Sequence, residues 1–216
     1  MKTKKIAKLL FISILFFNKI NAQKRITFGV HGGLNYSSLR EKEAFPDSEN
    51  LKNSEFSFIT GISSNYYFSN NLSLKVELNY ESKKDSRNIP SSIQQNFFSY
   101  KNSKTITNAS FITLPILLKY EFGNSKNPFF INGGTFLGYL IKLEDTFPDE
   151  TTADFTDRMT NFDFGVSLGV GKKFSMDTKN NLIIEIRDNL GLTSISKFVS
   201  YKTNSLNLII GWEFTL

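Results

Sequence analysis

From Ile26 onward, apolar residues recur at every second position, the period of an extended strand whose two faces meet different surroundings. The clearest run is Leu72 to Glu81: Leu72, Leu74, Val76, Leu78 and Tyr80 share one face, and Ser73, Lys75, Glu77, Asn79 and Glu81 the other. One wholly apolar face and one charged face divide two unlike solvents. Seven further runs repeat the split. Ile26, Phe28, Val30 and Leu34 alternate with Thr27, Gly29, His31, Gly33 and Asn35. Phe58, Ile62 and Tyr66 alternate with Ser57, Gly61, Ser63 and Asn65, with Ile59 out of pattern. Ile112, Leu114, Ile116, Leu118, Tyr120 and Phe122 oppose Thr113, Lys119 and Glu121. Phe129, Ile131, Leu137, Tyr139 and Ile141 form a fifth row, interrupted by Gly133 and Thr135. Phe162, Phe164, Val166, Leu168 and Val170 oppose Asp163, Gly165, Ser167, Gly169 and Gly171. Leu182, Ile184, Ile186 and Leu190 oppose Glu185, Arg187 and Asn189; Leu206, Leu208, Ile210, Trp212 and Phe214 oppose Ser205, Asn207, Gly211 and Glu213. Eight strands are predicted.

The connections alternate in length. Ser69-Asn70-Asn71, Gly123 to Pro128 and Ser175 to Asn181 are short, whereas 37–55, 83–108, 142–160 and 193–203 are long and polar. Short turns at one end and long loops at the other are the asymmetry of an eight-stranded antiparallel up-and-down transmembrane β-barrel, with both termini at the short-turn, periplasmic end. Of 13 glycines, only Gly123 falls in a predicted turn. Strand glycines suit tight curvature and close backbone approach, and a narrow barrel demands both. Pro115 lacks the N–H that a closed ladder uses, which predicts a bulge or locally broken pairing there.

Alternation alone also fits a soluble β-sandwich or a lipocalin-like barrel, with the apolar face turned inward. Three features favour lipid outside: charges at mid-strand on the polar face, tyrosine and tryptophan near strand ends, and the aromatic final strand Trp212 to Leu216.

The first 22 residues are of another kind. Lys2, Lys4, Lys5 and Lys8 precede a mostly apolar run from Ile6 to Phe17, and Asn21-Ala22 places a small residue at a cleavage position. This reads as a secretory signal peptide, residues 1–22, ahead of a barrel domain at 23–216; the apolar run is short of the ~20 residues a membrane-spanning helix needs. With no cysteine in the chain, neither lipid attachment through a cysteine nor a disulfide is available. The net charge of +6 belongs mostly to this segment. Removing its five lysines from 26 basic residues leaves 21 against 20 acidic ones, so a nucleic-acid partner is rejected.

Several segments resemble the PorT-like outer-membrane β-barrel family of Bacteroidetes. Phe111-Ile112-Thr113-Leu114-Pro115-Ile116-Leu117-Leu118-Lys119-Tyr120 is similar to its L-P-L-L-L-K-Y strand, and Pro128 to Gly134 with Leu137 to Leu140 to its Y-I-N-G-G…G-Y-L segment. Asp163-Phe164-Gly165-Val166, Gly169-Val170-Gly171, Asn189 to Ile195, Gly32 to Asn35 and Glu77 to Tyr80 fit the same order and spacing. The resemblance spans essentially the whole mature chain. It implies an eight-stranded outer-membrane barrel, and some relatives take part in secreting cell-surface proteins. Lys83-Lys84 departs from the family, in which a glycine often follows the third strand.

Lys75, Glu77, Lys119, Glu121, Asp163, Glu185, Arg187 and Glu213 are predicted to face a lumen just wide enough for side chains to fill. They read either as a polar conduit or, favoured by barrel size, as an ion-pair network with no open pore. His31, the single histidine, lies on the inward face, and no G-x-S-x-G accompanies it. Gly165 to Lys172 lacks the spacing and the helix of a phosphate loop. The third loop carries Glu144, Asp145, Asp149, Glu150, Asp154 and Asp157 without EF-hand spacing, and reads as a solvated acidic loop rather than a calcium site. Phe97, Phe98 and Tyr100 in the second loop are candidate contacts for a protein partner. The leading expectation is a non-enzymatic outer-membrane protein that needs no cofactor, contacts membrane lipid and works through its outer loops. A transport or secretion component is the alternative, and a lipid-modifying enzyme built on His31 the weaker one.

Overall fold

The structure is a computed structural model, and residues 25–41, 52–88, 104–198 and 200–215 are described. The predicted signal peptide, together with Phe97, Phe98 and Tyr100, lies outside the described residues. Eight long strands form the wall: β1 (Ile26–Glu41), β2 (Lys52–Tyr67), β3 (Leu72–Asn88), β4 (Lys104–Phe122), β5 (Phe129–Thr146), β7 (Phe162–Ser175), β8 (Asn180–Gly191) and β9 (Tyr201–Thr215). The three-residue β6 (Thr152–Asp154) pairs only with the end of β5, and a single 3-10 turn follows at Thr156–Arg158. Each long strand is antiparallel to its sequence neighbours in the wall, and β1 pairs with β9, so the sheet closes into a ring.

The two faces sort as the alternation requires. On β3, Leu78 is 49% exposed while Glu77 and Asn79 are each 1% exposed. Ile62, Leu118, Leu168, Ile186 and Ile210 likewise point outward, and Ile59, the residue out of pattern on β2, points in. The large apolar side chains therefore coat the cylinder and the ionic ones fill it, which is the inverse of a lipocalin. Outward aromatics gather near the strand ends. Tyr66, Phe68, Tyr120, Phe122 and Phe129 stand at the short-turn end; Tyr36, Phe56, Phe58, Tyr80, Tyr139 and Phe162 stand toward the other.

The short turns fall where predicted, but the long connections are shorter than their sequence suggests. Strands β1 to β5 and β9 continue well into the stretches 37–55, 83–108, 142–160 and 193–203. Beyond the apolar band the outer face turns polar while Leu39, Ala109 and Leu143 point inward, so the apolar–polar contrast between the faces is lost while the backbone ladder continues. Lys83 and Lys84 thus belong to β3, not to a loop. Two irregularities accompany the extension, between Ser54 and Ile59 on β2 and between Ser110 and Phe111 on β4. The second places Ile141 and Lys142 together on the outer side of β5 and returns Leu143 to the interior.

At Pro115 the β3–β4 ladder is interrupted between the pairs Val76–Ile116 and Asn79–Thr113, and the register is the same on both sides. The proline gives a local break rather than a bulge. Gly123, at φ 87°, occupies the left-handed region in its turn, a conformation that favours glycine.

Candidate functional site

Among the described residues, most charged side chains that pair with one another converge in the interior, which is built in layers by the inward residues of facing strands. In the middle layer, Arg187 of β8 reaches across to β3 and grips both oxygens of Glu77, through Nη1 at 2.6 Å and Nη2 at 2.8 Å. Its Nε donates to Glu185 Oε1 at 2.5 Å. Lys75 closes the set, 2.6 Å from Glu77 and 3.1 Å from Glu185. Two cations and two carboxylates therefore form a neutral ring with almost no solvent contact. The planar guanidinium fork suits this bidentate role better than a point charge does. Asn132 Nδ2 donates to Glu185 at 2.9 Å. His31 Nε2 lies 2.9 Å from Asn79 Oδ1 and 3.9 Å from Glu77, so the single histidine is engaged at the edge of the ring.

Nearer the short turns, Lys119 pairs with Glu121 at 2.9 Å and approaches Glu213 at 3.8 Å. Lys173 also pairs with Glu121, and the Tyr67 hydroxyl donates to it at 2.9 Å. Asn65 donates to Glu213 at 2.9 Å. Toward the long loops, Lys83 Nζ lies 3.3 Å from Asp163 and 3.0 Å from the Thr203 hydroxyl, which itself donates to Asp163 at 2.6 Å. The Phe111 and Phe136 rings flank the Lys83 ammonium, each centroid 5.1 Å away. Glu81 accepts from Asn35 at 2.9 Å and from Ser205 at 2.8 Å.

The predicted lumen residues thus fall into three groups. Lys75, Glu77, Glu185 and Arg187 meet in one ring; Lys119, Glu121 and Glu213 meet in a second; Asp163 sits apart with Lys83. Glu81, Lys83, Lys173 and Tyr67 join them from outside the predicted set. Lys173 continues the inward parity of Asp163 to Gly171, a signal the sequence does carry. Lys83 stood in what read as a loop.

Glycines let these layers close. A Cβ on Gly165 would lie 2.5 Å from the Phe136 ring, and one on Gly171 would lie closer still to the Phe130 ring. Both rings therefore lie against bare backbone, and Phe130 supports Lys119 at 4.5 Å.

Above the Lys83 layer the interior turns apolar. Leu39, Ala109, Phe111, Leu140, Leu143 and Ile195 pack together, with Phe155, Met159 and Tyr201 against them. Ile195 comes from the β8–β9 connection, and Phe155 and Met159 from the β5–β7 connection, so two loops cap the barrel. A cavity of about 240 Å³ beside the cap and a polar vestibule of about 520 Å³ at the short-turn end flank the packed centre.

The acidic residues of the third loop act locally. Glu144 pairs with Lys142 at 2.5 Å, and Asp145 accepts from Thr107 at 2.7 Å. Asp149 accepts from Thr151, and Asp154 from both the hydroxyl and the N–H of Thr156, which hold the Asp154 carboxyl below its usual range. Among the described residues no three metal-ligating side chains converge. Gly165 to Lys172 is part of β7.

Residues 21–197 match the family described as outer membrane protein beta-barrel domain. Among solved structures, OprG from Pseudomonas aeruginosa is similar with a TM-score of 0.51 and 11% identity, over 90% of this chain and 96% of that one. Neisserial surface protein A is similar with a TM-score of 0.49 and 12% identity, over 88% of this chain and 97% of that one. At such identities the likeness is one of fold. No curated protein matches the chain in sequence.

Proposed function

Since this chain belongs to the outer membrane protein beta-barrel domain family, we propose that it is an integral outer-membrane protein with a sealed lumen that works through its outer loops. One observation carries the reading: the centre of the barrel is crossed by a ring of mutually paired ions, Lys75, Glu77, Glu185 and Arg187, with an apolar cap above it. Opening a path would separate buried charges from their partners, at a cost of several kcal/mol each. The interior supports the wall, and the working surface lies in the loops. The role is structural or interaction-mediating and non-enzymatic, with Phe97, Phe98 and Tyr100 as candidate contacts. Residues 1–22 are removed on export, and the PorT-like resemblance is the finer family assignment we favour.

Planar-bilayer recording tests the sealed lumen. Purified barrel inserted into a bilayer should give no sustained conductance steps. Stable, reproducible channels would overturn the reading and favour transport.

A further inference from the structure

We propose that Arg40 and Lys202 form a binding site for the phosphate group of an outer-leaflet lipid. The two residues face each other directly across the β1–β9 ladder. Both continue outward rows, Leu34-Tyr36-Ser38-Arg40 on β1 and Leu208-Leu206-Asn204-Lys202 on β9, so their side chains stand side by side on the exterior. Like charges directly opposite destabilise a sheet. Two other cations on this rim are matched: Lys104 pairs with Glu55 at 2.7 Å and Lys142 with Glu144 at 2.5 Å. Among the described residues neither Arg40 nor Lys202 meets a carboxylate.

Arg40 is also held in place. Its Nη2 donates to the carbonyl of Gly191 at 3.0 Å and of Thr203 at 3.5 Å, which leaves Nε and Nη1 as donors for a ligand. A fixed guanidinium beside a mobile ammonium is the donor set a phosphate takes. Depth selects the source. Arg40 lies four residues beyond Tyr36 of the aromatic belt, roughly 10 Å along the membrane normal for a tilted strand. The headgroups extend about 5–8 Å past the hydrocarbon on each side, so the pair stands at their outer edge, within reach of phosphate for a long cationic side chain. Leu192, 44% exposed, directly follows Gly191, whose carbonyl Arg40 holds, and supplies apolar contact for the same molecule.

The inference rests on the membrane-spanning reading, which the same samples check separately through incorporation into nanodiscs and heat-modifiable gel mobility. The probe is bisphosphorylated lipid A, added as a minor component of phosphatidylcholine nanodiscs and counted per barrel by native mass spectrometry. Wild type should retain it. The variant Arg40→Ala/Lys202→Ala should retain it roughly tenfold less, the loss of two solvent-screened ionic contacts. Lys142→Ala, which removes a cation already paired, should retain it like wild type. If the alanine pair does not fold, Arg40→Gln/Lys202→Gln takes its place. Equal retention by wild type and the double variant would overturn the proposal. So would equal retention of dephosphorylated lipid A, or inorganic phosphate binding wild type as tightly as the lipid does.

Discussion

Removing the Arg187 charge without removing its bulk, by Arg187→Met, strikes the centre of the ionic ring. The wild-type ring balances two cations against two carboxylates, with Arg187 making three of its contacts. Without the guanidinium, Glu77 and Glu185 share Lys75 alone, at 2.6 and 3.1 Å, and one buried carboxylate is left uncompensated. A pair of unit charges about 4 Å apart interacts by about 4 kcal/mol at an effective dielectric near 20. Breaking one buried pair accordingly destabilises by about 3–5 kcal/mol. Adding Glu77→Gln restores neutrality and leaves Lys75 with Glu185, so the double variant should be more stable than Arg187→Met alone. The assay is urea unfolding in lipid vesicles, followed by the fluorescence of Trp212, the single tryptophan, and by heat-modifiable gel mobility. Additivity of the two substitutions within about 0.5 kcal/mol would refute the coupled ring.

Two further outcomes follow from particular positions. Lys83→Met should destabilise by about 3 kcal/mol, because it leaves Asp163 buried without its cation, whereas Lys84→Met, next to it on the outward side, should change stability by less than about 0.5 kcal/mol; the same urea titration distinguishes them, and equal effects would contradict the inward placement of Lys83 and the outward placement of Lys84. Asp188 stands in the outward row of β8 between Leu168 and Leu206, where a carboxylate faces lipid. Asp188→Leu should raise the unfolding free energy in vesicles by about 1 kcal/mol, and a loss of stability would mean that Asp188 has a partner there.

The wall of the barrel was readable because lipid and a packed ionic interior are opposite solvents, and each strand records both on alternate residues. Leu72 to Glu81 states that contrast without exception. Outside the apolar band the contrast vanishes. Arg40, Lys142 and Lys202 face outward there, while Leu39, Ala109 and Leu143 face inward, so a strand there looks like a loop. Lys83 was lost for that reason, although it lies only two residues past Glu81. Asp188 was overlooked for a different one: its parity is outward, but a lone carboxylate among Ile186 and Leu190 reads as noise in an apolar row. The partners of each lumen charge were not readable at all. Arg187 meets Glu77 across 110 positions of sequence, a contact set by ring closure and strand stagger rather than by local spacing.

Nitroxide labels placed singly along β3, from residue 72 to residue 81, measure most directly which face meets lipid. In reconstituted vesicles, positions 72, 74, 76, 78 and 80 should show high accessibility to molecular oxygen, and 73, 75, 77, 79 and 81 low accessibility, in strict alternation. A reversed alternation, with the charged row accessible and the apolar row shielded, would contradict the account.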